Sequence, residues 1–324
     1  METPPASRPW RAILALFFVT VIWGGTFVWM KQGLDAAELH LGPGHATVGI
    51  ALFMALRFGI GALCVAAFLP SSRRALGRDA WSGGLWIGAL LFGGFALQML
   101  GLAEVTPAVS AFLTSLYVLF TAILNASLER RGPSLALFLG AMLATCGAGF
   151  IRGRPDMTFH SGEIATIACA LLFAWHILAT DRITKRVAPM QVTLTSFVWV
   201  TAGSLVLLGA RLVGEGAPGA DTVLALLSSR EFLLPLLLSA FLATFVALSL
   251  MNQFQRELDP VRAAILYAFE PIWAALFGIL YGTDAITPYL WIGGGLLLGG
   301  NLVAEVSQRR RITATTRPPP SGSH

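Results

Sequence analysis

Eight charge-free apolar runs dominate this chain, at residues 12–30, 80–103, 105–128, 132–151, 164–180, 187–210, 232–255 and 285–304. A helix that spans a bilayer needs about 20 mostly apolar residues, so each run reads as one span. Two further stretches carry a single charge each: 47–69 contains Arg57 and 263–283 contains Glu270. Inside hydrocarbon every backbone polar group must find its partner within the segment, which a helix achieves alone. The expected fold is an all-α polytopic membrane protein with ten transmembrane helices. No linker between them is long enough for a folded soluble domain.

Composition agrees. Hydrophobic residues make up 56% of the 324 and charged residues 12%, whereas soluble domains carry about 25% charged residues. A soluble enzyme, a disordered chain and a secreted disulfide scaffold are excluded. The net charge of +5 would point a soluble protein towards nucleic acid. Here the basic residues sit in short clusters between apolar runs, which is a topology signal instead. The expected partners are therefore the lipid bilayer and a small-molecule substrate, with no nucleic acid. Cys64, Cys146 and Cys169 lie inside apolar segments and read as small buried hydrophobes. The five histidines, His40, His45, His160, His176 and His324, form no metal-ligand spacing, so neither metal nor cofactor is expected.

Residues 12–30 outrun a typical signal-peptide core and no small-residue cleavage site follows them, so the first span is read as retained. With both termini cytoplasmic, 16 of the 22 Lys and Arg fall on the inner side. Lys31, Arg152, Arg154, Arg211 and Arg230 fall outside, and Arg57 lies within the membrane. That asymmetry predicts a cytoplasmic N-terminal segment, 1–10, and a disordered cytoplasmic tail, 307–324, where Pro318, Pro319 and Pro320 cluster.

Sliding the sequence on itself by 153 residues sets 107–147 against 260–300. Pro107 then meets Pro260, Ala111 Ala264, Leu113 Leu266, Ala122 Ala275, Leu137 Leu290, Gly140 Gly293, Leu143 Leu296 and Gly147 Gly300. The offset spans five helices. Five is odd, so the two copies insert in opposite orientation. Inverted repeats of this kind are a signature of alternating-access transporters, which bind substrate near the midplane between the repeats.

Several motifs carry a family resemblance: Trp23-Gly24-Gly25-Thr26-Phe27, Arg57, Gly101-Leu102-Ala103 through Pro107 to Leu128-Glu129-Arg130, Phe173-Ala174-Trp175, and Phe269-Glu270-Pro271-Ile272-Trp273-Ala274-Ala275. Across residues 11–306 the chain resembles an EamA-type member of the drug/metabolite transporter superfamily. The resemblance implies two five-helix repeats, 11–151 and 160–306, and efflux of metabolites or drugs across the bacterial inner membrane. Members often end both repeats with an acidic residue; here Glu129 fills the first position and Gly282-Thr283-Asp284 occupies the second.

Glu270 is the sharpest candidate for function. A carboxylate in mid-span faces a cavity or a partner, so it reads as a substrate-binding and proton-coupling group, or else as a structural ion pair or a carboxyl hydrogen-bonded to backbone freed by Pro271. Ser110, Thr114, Tyr117 and Thr121 form one polar stripe at helical spacing. The offset sets Thr114 against Tyr267 and Tyr117 against Glu270. Both stripes are then equivalent walls of one cavity, or hydrogen-bonding faces between helices. Arg57 either holds a substrate carboxylate or pairs with an acidic side chain. Trp23, Phe27 and Met30 share a helix face that suits an aromatic cavity wall or helix packing. Gln98, Trp175, His176 and Asn252 complete the substrate-binding candidates, with interhelical hydrogen bonding the alternative for the polar three; Asn301 reads as such a bridge. The pairs Gly84 and Gly88, Gly278 and Gly282, and Gly295 and Gly299 suit close helix approach, within the chain or across a homodimer.

The chain holds no HExxH, GxSxG or Walker A motif, so an enzyme or an ATP-driven pump is not expected. A sensor or scaffold would want an output domain or long binding loops. A nucleotide-sugar carrier would want several basic residues facing the cavity, and only Arg57 qualifies. The sequence points to a secondary exporter of small metabolites, monomeric or homodimeric.

Overall fold

The computed structural model describes residues 9–130, 135–150, 160–214, 216–258, 260–285 and 287–315, and these form only helices and turns. In chain order the helices are α1 (Pro9–Leu41), α2 (Ala46–Phe68), α3 (Arg78–Glu104), α4 (Pro107–Thr114), α5 (Tyr117–Leu128), α6 (Leu135–Phe150) and α7 (Ser161–Thr184). They continue with α8 (Pro189–Gly214), α9 (Ala220–Ser228), α10 (Arg230–Leu238), a π-helical stretch (Ser239–Val246), α11 (Ala247–Phe254), α12 (Pro260–Tyr267), α13 (Glu270–Leu280) and α14 (Pro288–Thr315). α14 thus runs as helix through the first part of the tail expected to be disordered from 307, and the rest of that tail, 316–324, lies outside the described residues. Among the described residues, seven helices are long and apolar enough to cross a membrane: Trp10–Leu41, Ala46–Phe68, Arg78–Glu104, Pro107–Leu128, Ser161–Thr184, Pro189–Gly214 and Arg230–Glu257. The expected spans at 132–151, 263–283 and 285–304 map onto α6, onto α12 with α13, and onto α14, which are not among the seven. The described part of α6 has 16 residues, and a turn divides α12 from α13.

A two-residue turn interrupts the helix inside each of the expected spans 105–128 and 263–283, the first of which still counts as one crossing helix. Each is broken, and at equivalent places. α4 and α12 start and stop 153 residues apart, and so do the starts of α5 and α13. Pro107 and Pro260 begin their helices, where a missing N–H costs nothing. At the first break Ser115 and Leu116 tighten towards 3₁₀ geometry, with φ −61, ψ −12 and φ −56, ψ −17. The Ser115 hydroxyl bonds back to Phe112 O at 2.7 Å, a local bond that competes with helical pairing. Asn301 Nδ2 donates to Ser115 O at 2.9 Å, a second bond to a carbonyl that Val118 N also reaches at 3.0 Å. At the second break Pro271 supplies no N–H, which loosens the same turn from the other side.

The packing repeats this twofold relationship. α6 lies against α14. A Cβ on Gly147 would sit 2.5 Å from Leu297 N and 2.6 Å from Gly293 O; one on Gly300 would sit 2.5 Å from both Ala144 N and Gly140 O. Each of these contacts maps onto the other by the 153-residue offset. α1 packs on α13 and on the span from α10 to α11, while α3 packs on α7 and α8. Gly24 allows the first of these approaches, since a Cβ there would meet Ala274 N at 2.8 Å. The Trp23-Gly24-Gly25 and Trp273-Ala274 motifs are thus two sides of one contact. Gly84 and Gly88 close on α8, as their spacing suggested, whereas Gly295 and Gly299 have open space around them. The second pair therefore marks no helix contact within the described chain.

Candidate functional site

Both breaks open onto one buried cavity. It is lined by Trp23, Thr26, Leu91, Phe95, Gln98, Thr114, Tyr117, Phe173, His176, Ile177, Leu248, Met251, Tyr267 and Glu270, and measures about 50 Å³. Ten of these fourteen residues are five pairs at the repeat offset: Trp23 with His176, Phe95 with Leu248, Gln98 with Met251, Thr114 with Tyr267, and Tyr117 with Glu270. The cavity therefore straddles the pseudo-twofold axis. Ligand sites usually enclose about 300–1,000 Å³, so this conformation has room for water but not for a metabolite.

Glu270 and Tyr117 are the first residues of the second half-helices, α13 and α5. The Tyr117 hydroxyl donates to Glu270 Oε2 at 3.0 Å. Glu270 also sits where the α13 dipole favours negative charge. The tyrosine is thus the carboxylate's partner, and the ion pair left open by the sequence does not form among the described residues. Tyr267 donates to Gln255 Oε1 at 3.0 Å, and Gln255 Nε2 to Ile177 O at 2.9 Å. The Trp23 ring lies 5.5 Å from the Tyr267 ring, with its Nε1 donating to Ala243 O at 3.2 Å. Gln98 Nε2 donates to Thr114 Oγ1 at 3.4 Å. His176 Nε2 meets the Thr180 hydroxyl at 3.4 Å.

Of the eleven substrate-binding candidates, Trp23, Gln98, Thr114, Tyr117, His176, Tyr267 and Glu270 line this cavity, and four do not. Phe27 is fully buried in the packed core. Trp175 points away from the bundle, 38% exposed, while its neighbours Phe173 and His176 face inward. Asn252 donates to Thr193 Oγ1 at 2.8 Å, bridging α11 to α8. Arg57 is buried behind Phe95, its guanidinium carbon 4.5 Å from that ring's centroid. Ser110 and Thr121 complete the polar stripe but sit buried outside the lining. Sequence reasoning missed Thr26, Leu91, Phe95, Phe173, Ile177, Leu248 and Met251 as lining. Carrying the offset on from Gln98 would have found Met251, and one helical turn back from that pair lie Phe95 and Leu248.

At one end of the bundle, Asp284 Oδ2 accepts from Ala108 N at 3.2 Å, capping α4 from the loop after α13. Burial pushes the Asp284 carboxyl above its ordinary value, partly offset by hydrogen bonds from Thr106, Ala108 N and Thr283. Lys31, Asp35 and Glu104 line the same cleft, and Lys31 Nζ lies 3.3 Å from Asp35 Oδ1. Asp284 thus supplies an acidic group at the end of the second repeat, two residues beyond the turn at Gly282. No cluster of three or more metal-ligating side chains occurs among the described residues.

Long apolar helices in two equivalent halves, wound about a buried cavity on their symmetry axis, define a polytopic membrane protein of the transporter class. The chain belongs to the EamA-like transporter family, which it matches over residues 10–153 and 160–304. An uncharacterized transporter of Archaeoglobus fulgidus is 29% identical over 288 residues, covering 89% of this chain and 83% of that protein. A solved crystal structure shares the fold, with a TM-score of 0.57 and 20% identity, over 93% of this chain and 98% of its own.

Proposed function

We propose that this protein is a secondary transporter exporting small metabolites, amino acids or amphipathic compounds, across the bacterial inner membrane by alternating access, coupled to protons through Glu270. Ten spans in two inverted repeats, with both termini cytoplasmic, are the topology this reading requires. The observation that carries it is the Tyr117–Glu270 hydrogen bond at the meeting of two broken helices. A carboxylate there is shared by both halves of the molecule. Rocking one half against the other changes what each presents to it, so protonation and conformation are linked. The small cavity fits a conformation closed around the site. Neither catalysis nor ATP hydrolysis has a place in this reading.

The test is flux into inside-out vesicles of a labelled amino-acid and metabolite panel, with and without a pH gradient. Gradient-driven flux by wild type that Glu270→Gln loses supports proton-coupled export. Flux indifferent to the gradient in both proteins would instead make the chain a passive facilitator and return Glu270 to a structural role.

A further inference from the structure

We propose that Arg57 is a shielded subsite for the carboxylate of an apolar-bodied substrate, and that Phe95 is the gate between this subsite and the cavity. The inference rests on the transporter reading and names the substrate class.

Arg57 sits in mid-α2 with no exposed surface. Its Nε donates to Thr244 Oγ1 at 2.6 Å and its Nη1 to Met30 Sδ at 3.1 Å. Nη2 has no partner. No carboxylate pairs with this cation among the described residues, and Glu270 is engaged by Tyr117 instead. A guanidinium within a membrane span is costly and rare without an anion. Its geometry suits a two-point grip on a carboxylate. Two aromatic faces stand in for the missing charge, Phe95 at 4.5 Å and Phe58 at 5.4 Å.

Phe95 also belongs to the cavity wall, so one ring separates the cation from the cavity. Its neighbours are unsatisfied too. Gln98, one turn along α3 from Phe95, leaves Oε1 without a partner, and Thr26, one turn from Met30 on α1, leaves Oγ1 without one. Both line the cavity. Three helices therefore bring unpaired buried polar atoms to the Phe95 side, while the rest of the lining is mainly apolar. A rotation of the Phe95 ring would enlarge the small cavity and uncover Nη2 together. The π-helical stretch contributes by presenting Thr244 to hold the guanidinium. One guanidinium balances one negative charge, which favours a carboxylate over a phosphate dianion.

The test uses the purified full chain and matched probes: phenylacetate, phenylacetamide and phenethylamine, with octanoate and octanamide. Binding is read by calorimetry. Wild type is expected to bind the carboxylates about tenfold or more tighter than the amides, the scale of a charge-assisted hydrogen bond. Arg57→Gln should lose that preference while holding the amides as wild type does, which shows that the cavity survives. Arg57→Lys keeps the charge but not the fork and should lose part of the preference; it decides the matter if Arg57→Gln does not yield a monodisperse protein. Phe95→Leu should tighten carboxylate binding. Equal affinity for carboxylates and amides in wild type, no carboxylate binding at all, or a preference unchanged in the Arg57 variants would overturn the proposal. Glu270-dependent flux of neutral or cationic compounds alone would sink the subsite and leave the transporter reading standing. Carboxylate binding through Arg57 without any flux would do the reverse.

Discussion

Tyr117 and Glu270 lie 153 residues apart, the offset that relates the two halves of the chain, and they are hydrogen-bonded to each other at 3.0 Å. Residues equivalent under a twofold touch only close to its axis. The pair therefore marks that axis, and it does so with a donor in one half and a carboxylate in the other. Sequence divergence at one symmetric position has produced a matched acid and hydroxyl. Removing the hydroxyl by Tyr117→Phe takes away one hydrogen bond to a charged group, worth about 1.5–3 kcal/mol. The expected result is a loss of about tenfold in gradient-driven vesicle flux with the protein still folded. Flux at the wild-type level in Tyr117→Phe would show that Glu270 works without it.

The α6–α14 contact gives a second, structural test of the symmetry. A Cβ added to Gly147 or to Gly300 would lie 2.5 Å from a backbone nitrogen of the facing helix, and backbone cannot swing aside. Gly147→Ala and Gly300→Ala should each destabilise by about 1–3 kcal/mol, the usual cost of overpacking, and by similar amounts because their surroundings are equivalent. Gly295→Ala and Gly299→Ala face open space and should be neutral or slightly stabilising in the same thermal unfolding series in detergent. Unequal losses at 147 and 300 would mean the two halves pack differently.

Much of this is legible in the sequence, for identifiable reasons. The repeat offset is visible because Pro and Gly recur where helices start and touch, and it correctly pairs Thr114 with Tyr267 and Tyr117 with Glu270. It does not lead further by inspection because Trp23 with His176, Phe95 with Leu248 and Gln98 with Met251 share no chemistry; equivalence of position survives there without resemblance of side chain. The first helix break has no Pro or Gly to announce it, only Ser115, whose bond to Phe112 is a matter of rotamer. Trp175 misleads because an aromatic facing lipid and one facing a cavity look alike by type; the lining residues are its neighbours on either side, Phe173 and His176.

Asn252, a candidate for substrate contact by sequence, is instead a bridge from α11 to Thr193 on α8, at 2.8 Å. Interhelical hydrogen bonds within membranes contribute modestly, about 0.6 kcal/mol on average. Asn252→Ala should therefore lower the unfolding temperature slightly and leave substrate affinity unchanged. A large loss of affinity with unchanged stability would return Asn252 to the site.

Asp284 predicts a pH dependence of stability whose sign can be worked out. Its carboxyl is raised above the ordinary value chiefly by burial, so the folded protein holds that proton more tightly than the unfolded chain. Linkage then makes its contribution fully present below the unfolded value and lost as pH rises through the folded one. Asp284→Asn keeps an oxygen to accept from Ala108 N but cannot ionise. The stability of wild type relative to Asp284→Asn should therefore fall as pH rises above the ordinary aspartate value of about 4. Lys31, Asp35 and Glu104 share the cleft in both proteins, so subtracting the variant's unfolding-temperature profile from that of wild type isolates the Asp284 part. A difference that grows with pH would show that the hydrogen bonds at the α4 N-terminus outweigh burial and hold Asp284 as a carboxylate cap.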